Sequence, residues 1–193
     1  MRRFTIFLAC VVFLMLSASS LAQMGGRCQG MRGGQCRMGG QSSQAVPSKL
    51  PAPKSKAWLD QLREVLVLEK FSIAQYEADR DKYQVNRPYM MVIPQEENHI
   101  RLIRELFTAY GLTSDGSIPA VKQSSNVSQA YEIAMQLEEE LVPKYERLIK
   151  GAEDQNTAQV LSSILQQTRM HYRMFSHALS MSGPGMMHRG GRM

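Results

Sequence analysis

Residues 92–110 read Val-Ile-Pro-Gln-Glu-Glu-Asn-His-Ile-Arg-Leu-Ile-Arg-Glu-Leu-Phe-Thr-Ala-Tyr. Tyr89, Val92, Glu96, His99, Ile103, Leu106 and Tyr110 follow one another at alternating spacings of three and four. That spacing lines one face of an α-helix and is the seam of a helical bundle. This seam is apolar at both ends and carries a carboxylate and an imidazole at its centre. An ionised carboxylate buried without a partner costs several kcal/mol or more, so the centre of this helix needs compensation from a neighbour.

Three other segments repeat the pattern. The first, from about Lys56 to Lys82, gives Trp58, Leu62, Val65, Glu69, Ser72 and Tyr76. The third, from about Val127 to Lys150, gives Val127, Tyr131, Ala134, Glu138, Leu141, Tyr145 and Leu148. The fourth, from about Asp154 to Met181, gives Leu161, Ile164, Thr168, His171, Phe175 and Ala178. The second runs from about Pro88 to Tyr110. Gly111 and Gly151 stand where helix stops are expected, Ser125 or Asn126 where a cap for the third helix belongs, and Asp154 where a cap for the fourth belongs. No stretch alternates as a strand does, so the fold class is all-α, a four-helix bundle.

The two halves are similar. Leu68-Glu69 followed by Tyr76-Glu77 matches Leu137-Glu138 followed by Tyr145-Glu146. His99-Ile100-Arg101-Leu102-Ile103 matches His171-Tyr172-Arg173-Met174-Phe175. The bundle is therefore expected to be made of two similar helical hairpins with a pseudo-two-fold axis. If four helices pack side by side, Glu69, Glu96, His99, Glu138 and His171 meet at one level. Three carboxylates and two imidazoles in an apolar core call for a cation, which makes these five residues the candidate metal ligands. Glu-x-x-His places both its donors on one helical face. Tyr76 and Tyr145, two turns beyond Glu69 and Glu138, are expected to be core tyrosines whose hydroxyls bond a carboxylate or water, with a redox relay as the rival reading. Glu97 and Glu139 sit one residue off the seam and are expected in solvent, Glu139 being held in reserve because Pro143 removes a backbone hydrogen bond and could turn the helix locally.

These motifs resemble the ferritin-like superfamily, whose rubrerythrin and bacterioferritin branches carry Glu, Glu-x-x-His, Glu, Glu-x-x-His around two iron ions. More closely, Leu68-Glu69-Lys70, Glu96-Glu97-Asn98-His99, Leu137-Glu138-Glu139-Glu140 and His171-Tyr172-Arg173 resemble a prokaryotic ferritin-like domain family of unknown function. The resemblance covers about Trp58 to Leu179. It implies a ferritin-like bundle, iron or manganese in the core as one or two ions, and oxidoreductase chemistry on O2 or peroxide. At ~3.3 Å per residue the segment from Leu112 to Asn126 is long enough to run the length of a bundle, which permits the crossover topology of ferritin-like folds and also a simple up-down bundle. The departure is Thr168, which stands where the second Glu-x-x-His requires its glutamate. No Cys-x-x-Cys pair occurs in the sequence, so an oxidoreductase would draw on an external electron donor.

The rest of the chain reads differently. Arg2 and Arg3, the apolar run from Phe4 to Leu16 and Ser20-Leu21-Ala22 form the pattern of a secretory signal peptide over residues 1–22, with Gln23 as first mature residue and a periplasmic or extracellular destination. Residues 23–55 are a Gly/Met/Cys/Pro-rich linker with almost nothing to bury, and residues 182–193 a Met/Gly/Arg tail; both read as disordered beside the bundle domain of residues 56–181. The chain has 23 Lys and Arg against 17 Asp and Glu. Between Trp58 and Met181 there are 13 bases against all 17 acids, a net of −4, so the basic character belongs to the tails. Basic tails suit anionic surfaces such as lipid headgroups, and no motif points to nucleic acid. Cys28 and Cys36 are placed for a local disulfide or for a soft metal site. Met24, Met31 and Met38, with Met186, Met187, His188 and Met193, are soft donors that suit copper. A metal-binding or metal-tolerance protein without turnover, and a purely structural bundle, are the alternatives to an enzyme.

Overall fold

In a computed structural model of the chain, residues 45–114 and 116–182 are described. The expected signal peptide, the Cys28 and Cys36 pair, the Met24, Met31 and Met38 series and the closing Met186, Met187, His188 and Met193 lie outside them. Four helices form: α1 (Lys56–Tyr83), α2 (Tyr89–Ala109), α3 (Val127–Gly151) and α4 (Gln155–Met181). Among the described residues there is no strand.

Capping explains where the helices begin and end. The Ser55 hydroxyl accepts from the Trp58 N–H, Asn126 Oδ1 from the Gln129 N–H at 2.9 Å, and Asp154 Oδ1 from the Thr157 N–H at 2.8 Å. Asn126 rather than Ser125 thus caps α3. Gly111 takes a left-handed φ of 71° just past α2, as expected of a helix stop. Gly151 differs. It is the last helical residue of α3, and its role is close packing, because a Cβ there would lie 2.9 Å from Trp58 Cδ1.

α1 packs closely on α2 and α3, and α4 on α3 and α2. The backbones of the diagonal pairs α1–α4 and α2–α3 stay apart, and these helices meet only through core side chains such as Tyr76 with Phe175 and Tyr89 with Tyr131. An up-down bundle would bring α2 against α3. The segment after α2 instead climbs along α1. Lys70 Nζ donates to the Gly116 carbonyl at 3.4 Å, and the Gln75 amide exchanges two hydrogen bonds with the Lys122 backbone at 3.0 and 2.7 Å. Further on, Ser124 Oγ donates to buried Asp79 at 2.7 Å, while Lys82 and Tyr83 donate to the Ser124 carbonyl. α3 therefore starts beside the end of α1 and runs antiparallel to it, so that the Trp58 indole reaches the Leu148 carbonyl at 2.9 Å. This is the crossover topology, and the ferritin-like bundle is the observed fold.

Every seam position is buried except Val127 and Ala178, which are half-buried near the end of the bundle. Apolar packing falls into two clusters. One holds Trp58, Leu62, Val65, Ile103, Leu106, Leu141, Leu148, Leu161 and Ile164; the other holds Tyr76, Tyr89, Val92, Tyr131, Ala134 and Phe175. The polar centre of the seams lies between them. Burying each such aliphatic side chain stabilises the fold by about 1.5–3 kcal/mol, which is what holds the intervening polar layer in place. The linker reading needs one amendment: Leu50 is buried, and its N–H donates to the Ala109 carbonyl at 2.8 Å. Among the described residues no helix is long and apolar enough to cross a membrane.

Candidate metal centre

Glu69, Glu96, His99, Glu138 and His171 all come to the middle of the bundle and all are completely buried. Glu96 is the hub. Its Oε1 lies 2.7 Å from His171 Nδ1 and its Oε2 lies 3.2 Å from His99 Nδ1. The two rings stack with centroids 5.5 Å apart. Glu96, His99 and His171 each offer one donor atom within 4.8 Å of the others. Glu69 and Glu138 flank this trio, with Glu69 Oε2 at 3.4 Å from His99 Nδ1 and Glu138 Oε1 at 3.6 Å from His171 Nδ1. Each hairpin thus contributes one glutamate beside one histidine, and Glu96 joins the halves.

The tyrosines complete the symmetry by crossing it. Tyr76 of α1 donates to Glu138 Oε1 of α3 at 2.7 Å, and Tyr145 of α3 donates to Glu69 Oε1 of α1. Burial, together with the neighbouring carboxylates, holds both phenols well above their ordinary range, so they remain neutral donors. Glu97 and Glu139 are exposed, so Pro143 does not turn Glu139 inward. Thr168 is buried at the fourth ligand position, but its hydroxyl donates to the Ile164 carbonyl at 3.1 Å, within its own helix.

Electrostatics record the same crowding. Burial pushes the Glu69 carboxyl up, but the charge on His99 and the hydrogen bonds from His99 and Tyr145 outweigh it, so the net shift is downward. Burial pushes both imidazoles down, and the carboxylates around them reverse this. His99 ends well above its ordinary value, and His171 rises to about 9. Burial and the charge on Glu96 raise Glu138 to about 7 against the opposing influence of His171 and Tyr76. Protonated imidazoles here take the place a metal cation would take. Glu138 Oε2 is buried with no hydrogen-bond partner. An orphaned carboxylate oxygen is costly in an apolar core, and beside two inward Nδ1 atoms it fits a divalent cation.

A family model described as rubrerythrin matches residues 69–179, more than half of the chain. The chain belongs to the rubrerythrin family. Within this rubrerythrin-family chain the matched segment begins at Glu69 and extends past His171. Two solved structures share the fold. One is a ferritin-like diiron-carboxylate protein from Bacillus anthracis str. Ames, 24% identical, covering 64% of this chain and 96% of that one with a TM-score of 0.58. The other is a conserved hypothetical protein from Mycobacterium tuberculosis, 17% identical, covering 66% and 93% with a TM-score of 0.60. No curated protein matches the chain.

Two functional candidates escaped the seam analysis. Gln95 Oε1 lies 3.1 Å from His171 Nε2, and Gln167 Oε1 lies 3.0 Å from His99 Nε2. Neither glutamine lies on the seam. The available signal was the internal repeat, since each stands four residues before its own hairpin's histidine.

Proposed function

We propose that this protein holds iron, as two ions, between its four helices and acts as an oxidoreductase on O2 or peroxide. The observation that carries the reading is the convergence of five fully buried potential ligands with one carboxylate oxygen of Glu138 left without a partner. Glu69 and His99 would hold one ion, Glu138 and His171 the other, and Glu96 would lie between them. When bound, iron supplies the redox change and the binding of oxidant. The chain's own residues do the rest. Tyr76 and Tyr145 hold the two outer carboxylates in place, the two apolar clusters exclude water from above and below, and the glutamines at the α2/α4 face cover the outer edges of the imidazoles. Export of the mature chain from Gln23 and an external electron donor belong to the same reading.

Metal analysis of the purified protein tests it, with Glu69→Ala and His99→Ala alongside. Iron lost from both variants supports the centre, and unchanged content in both defeats it. Peroxide consumption by the iron-loaded chain separates an enzyme from a binder. Thr168 favours a second reading, a metal-binding protein without turnover, because the position of the fourth carboxylate is filled by a hydroxyl already committed to Ile164.

A further inference from the structure

The rims of the two imidazoles facing away from Glu96 meet α2 and α4 side chains. Gln95 of α2 reaches His171 of α4, and Gln167 of α4 reaches His99 of α2. Both glutamines are half-buried while both histidines are fully buried, so the amides form the layer between the rings and solvent. The orientation of one amide is fixed independently. Gln95 Nε2 donates to the Met91 carbonyl at 2.9 Å, one turn back in its own helix. Its Oε1 must therefore be the atom that faces His171. A carbonyl oxygen only accepts, so His171 Nε2 carries a hydrogen. The remaining nitrogen, Nδ1, points at Glu96 and the centre. The pseudo-two-fold repeat places Gln167 and His99 in the equivalent arrangement, with Gln167 Oε1 3.0 Å from His99 Nε2.

We infer that Gln95 and Gln167 are a reciprocal pair of positioning residues, each accepting the Nε2 hydrogen of the other hairpin's histidine and thereby presenting that ring's Nδ1 lone pair to a bound divalent cation. The inference rests on the metal-centre reading above. An imidazole ligates through one nitrogen, and the hydrogen bond made by the other decides which. Without an acceptor at Nε2, the ring is free to turn or to place its hydrogen on Nδ1, where it blocks ligation. Because each brace crosses between hairpins, the two halves of the site hold one another in register. A neutral amide orients the ring without adding a further buried charge to a core that already carries three carboxyl groups.

The test uses the full-length mature chain, labelled with 15N-histidine and loaded with Zn2+ as a diamagnetic probe. Long-range proton–nitrogen correlation spectra report, ring by ring, which nitrogen holds the hydrogen and which holds metal. Site-resolved signals also separate the core from His177, His188 and the cysteines. In the wild type, His99 and His171 should both show hydrogen on Nε2 and metal on Nδ1. Gln95→Leu should disturb His171 and spare His99, although Gln95 shares its helix with His99. Gln167→Leu should do the reverse. Each should weaken Zn2+ binding about tenfold or more, the usual effect of losing such a partner. Gln95→Glu and Gln167→Glu retain the acceptor and should bind Zn2+ at least as tightly as wild type, which keeps the test available if a leucine variant fails to fold. Disturbance of the histidine on the same helix, no disturbance of either ring, or glutamate variants as weak as the leucine ones would overturn the inference. Zn2+ bound by the wild type with variants unchanged sinks the inference alone. A wild type with no core-bound Zn2+ sinks it together with the metal centre.

Discussion

Tyr76 donates a 2.7 Å hydrogen bond to Glu138 across 62 residues of sequence, from one hairpin to the other. Tyr145 returns the arrangement to Glu69. These two bonds tie α1 to α3 at the level of the candidate ligands. They also divide the labour at each carboxylate: one oxygen is held by a phenol, and the other faces the histidines or, in Glu138, stands free.

Tyr76→Phe keeps the ring and removes the donor, leaving Glu138 with neither oxygen satisfied by a tyrosine. Metal-free stability should fall by about 1–3 kcal/mol, measured by urea unfolding. Tyr145→Phe should fall by a similar amount. An unfolding midpoint unchanged in both variants would show that these bonds contribute nothing net.

The metal-free chain should lose stability as the solution becomes alkaline. His171 has a folded value of about 9 against an ordinary 6.5, and His99 is raised in the same sense. The folded state retains protons that the unfolded chain has released, so this contribution is complete below about pH 6.5 and is lost as pH rises through the folded values. Glu138, raised from 4.5 to about 7, has the same sign, and its contribution fades across that interval. Glu69 is shifted downward and acts oppositely, adding stability above about pH 4.5 that is lost in acid. Urea midpoints in the presence of chelator should therefore be higher near about pH 6 than near about pH 9. Metal loading should reverse the trend, since ligands must shed protons to bind. Equal midpoints at the two pH values in chelator would contradict the assignment.

Thr168→Glu restores the fourth carboxylate of the repeat. Without metal it adds a buried acid to a crowded centre and should destabilise the chain by at least about 1 kcal/mol. With Fe2+ present the variant should gain more thermal stability than wild type does, and its iron content per chain should rise. Calorimetry with and without Fe2+ checks both. Matching metal-dependent shifts in variant and wild type would mean that position 168 has no access to the ions.

Gly151→Ala tests the packing of α3 on the start of α1. The added methyl lies 2.9 Å from Trp58 Cδ1, and the indole is anchored to the Leu148 carbonyl. Overpacking of this kind costs about 1–3 kcal/mol. Trp58 is the one tryptophan in the sequence, so its fluorescence reports the local shift while thermal unfolding reports the loss.

Local periodicity made most of the bundle legible in advance. Spacings of three and four depend on a single helix, and they located all four helices, the buried faces and the five polar residues at mid-seam. The duplicated motifs likewise exposed the two hairpins and the missing glutamate at Thr168. Glu97 and Glu139 could be assigned to solvent because one step along a helix turns a side chain by about 100°. What periodicity within one helix does not contain is the choice of neighbour. Whether α3 lies beside α1 or α2 was settled by the path of the crossover along Gln75, Asp79 and Tyr83. The role of Gly151 depended on Trp58, more than ninety residues away in sequence. The glutamines depended on it most. Gln95 and Gln167 lie off their own seams, and only the packing of α2 against α4 gives each a histidine to hold. The sequence by itself determined which residues face inward, because that is fixed by the geometry of each helix. The tertiary structure decided which of them meet, because hydrogen bonds of about 3 Å between helices depend on how the helices are arranged around one another.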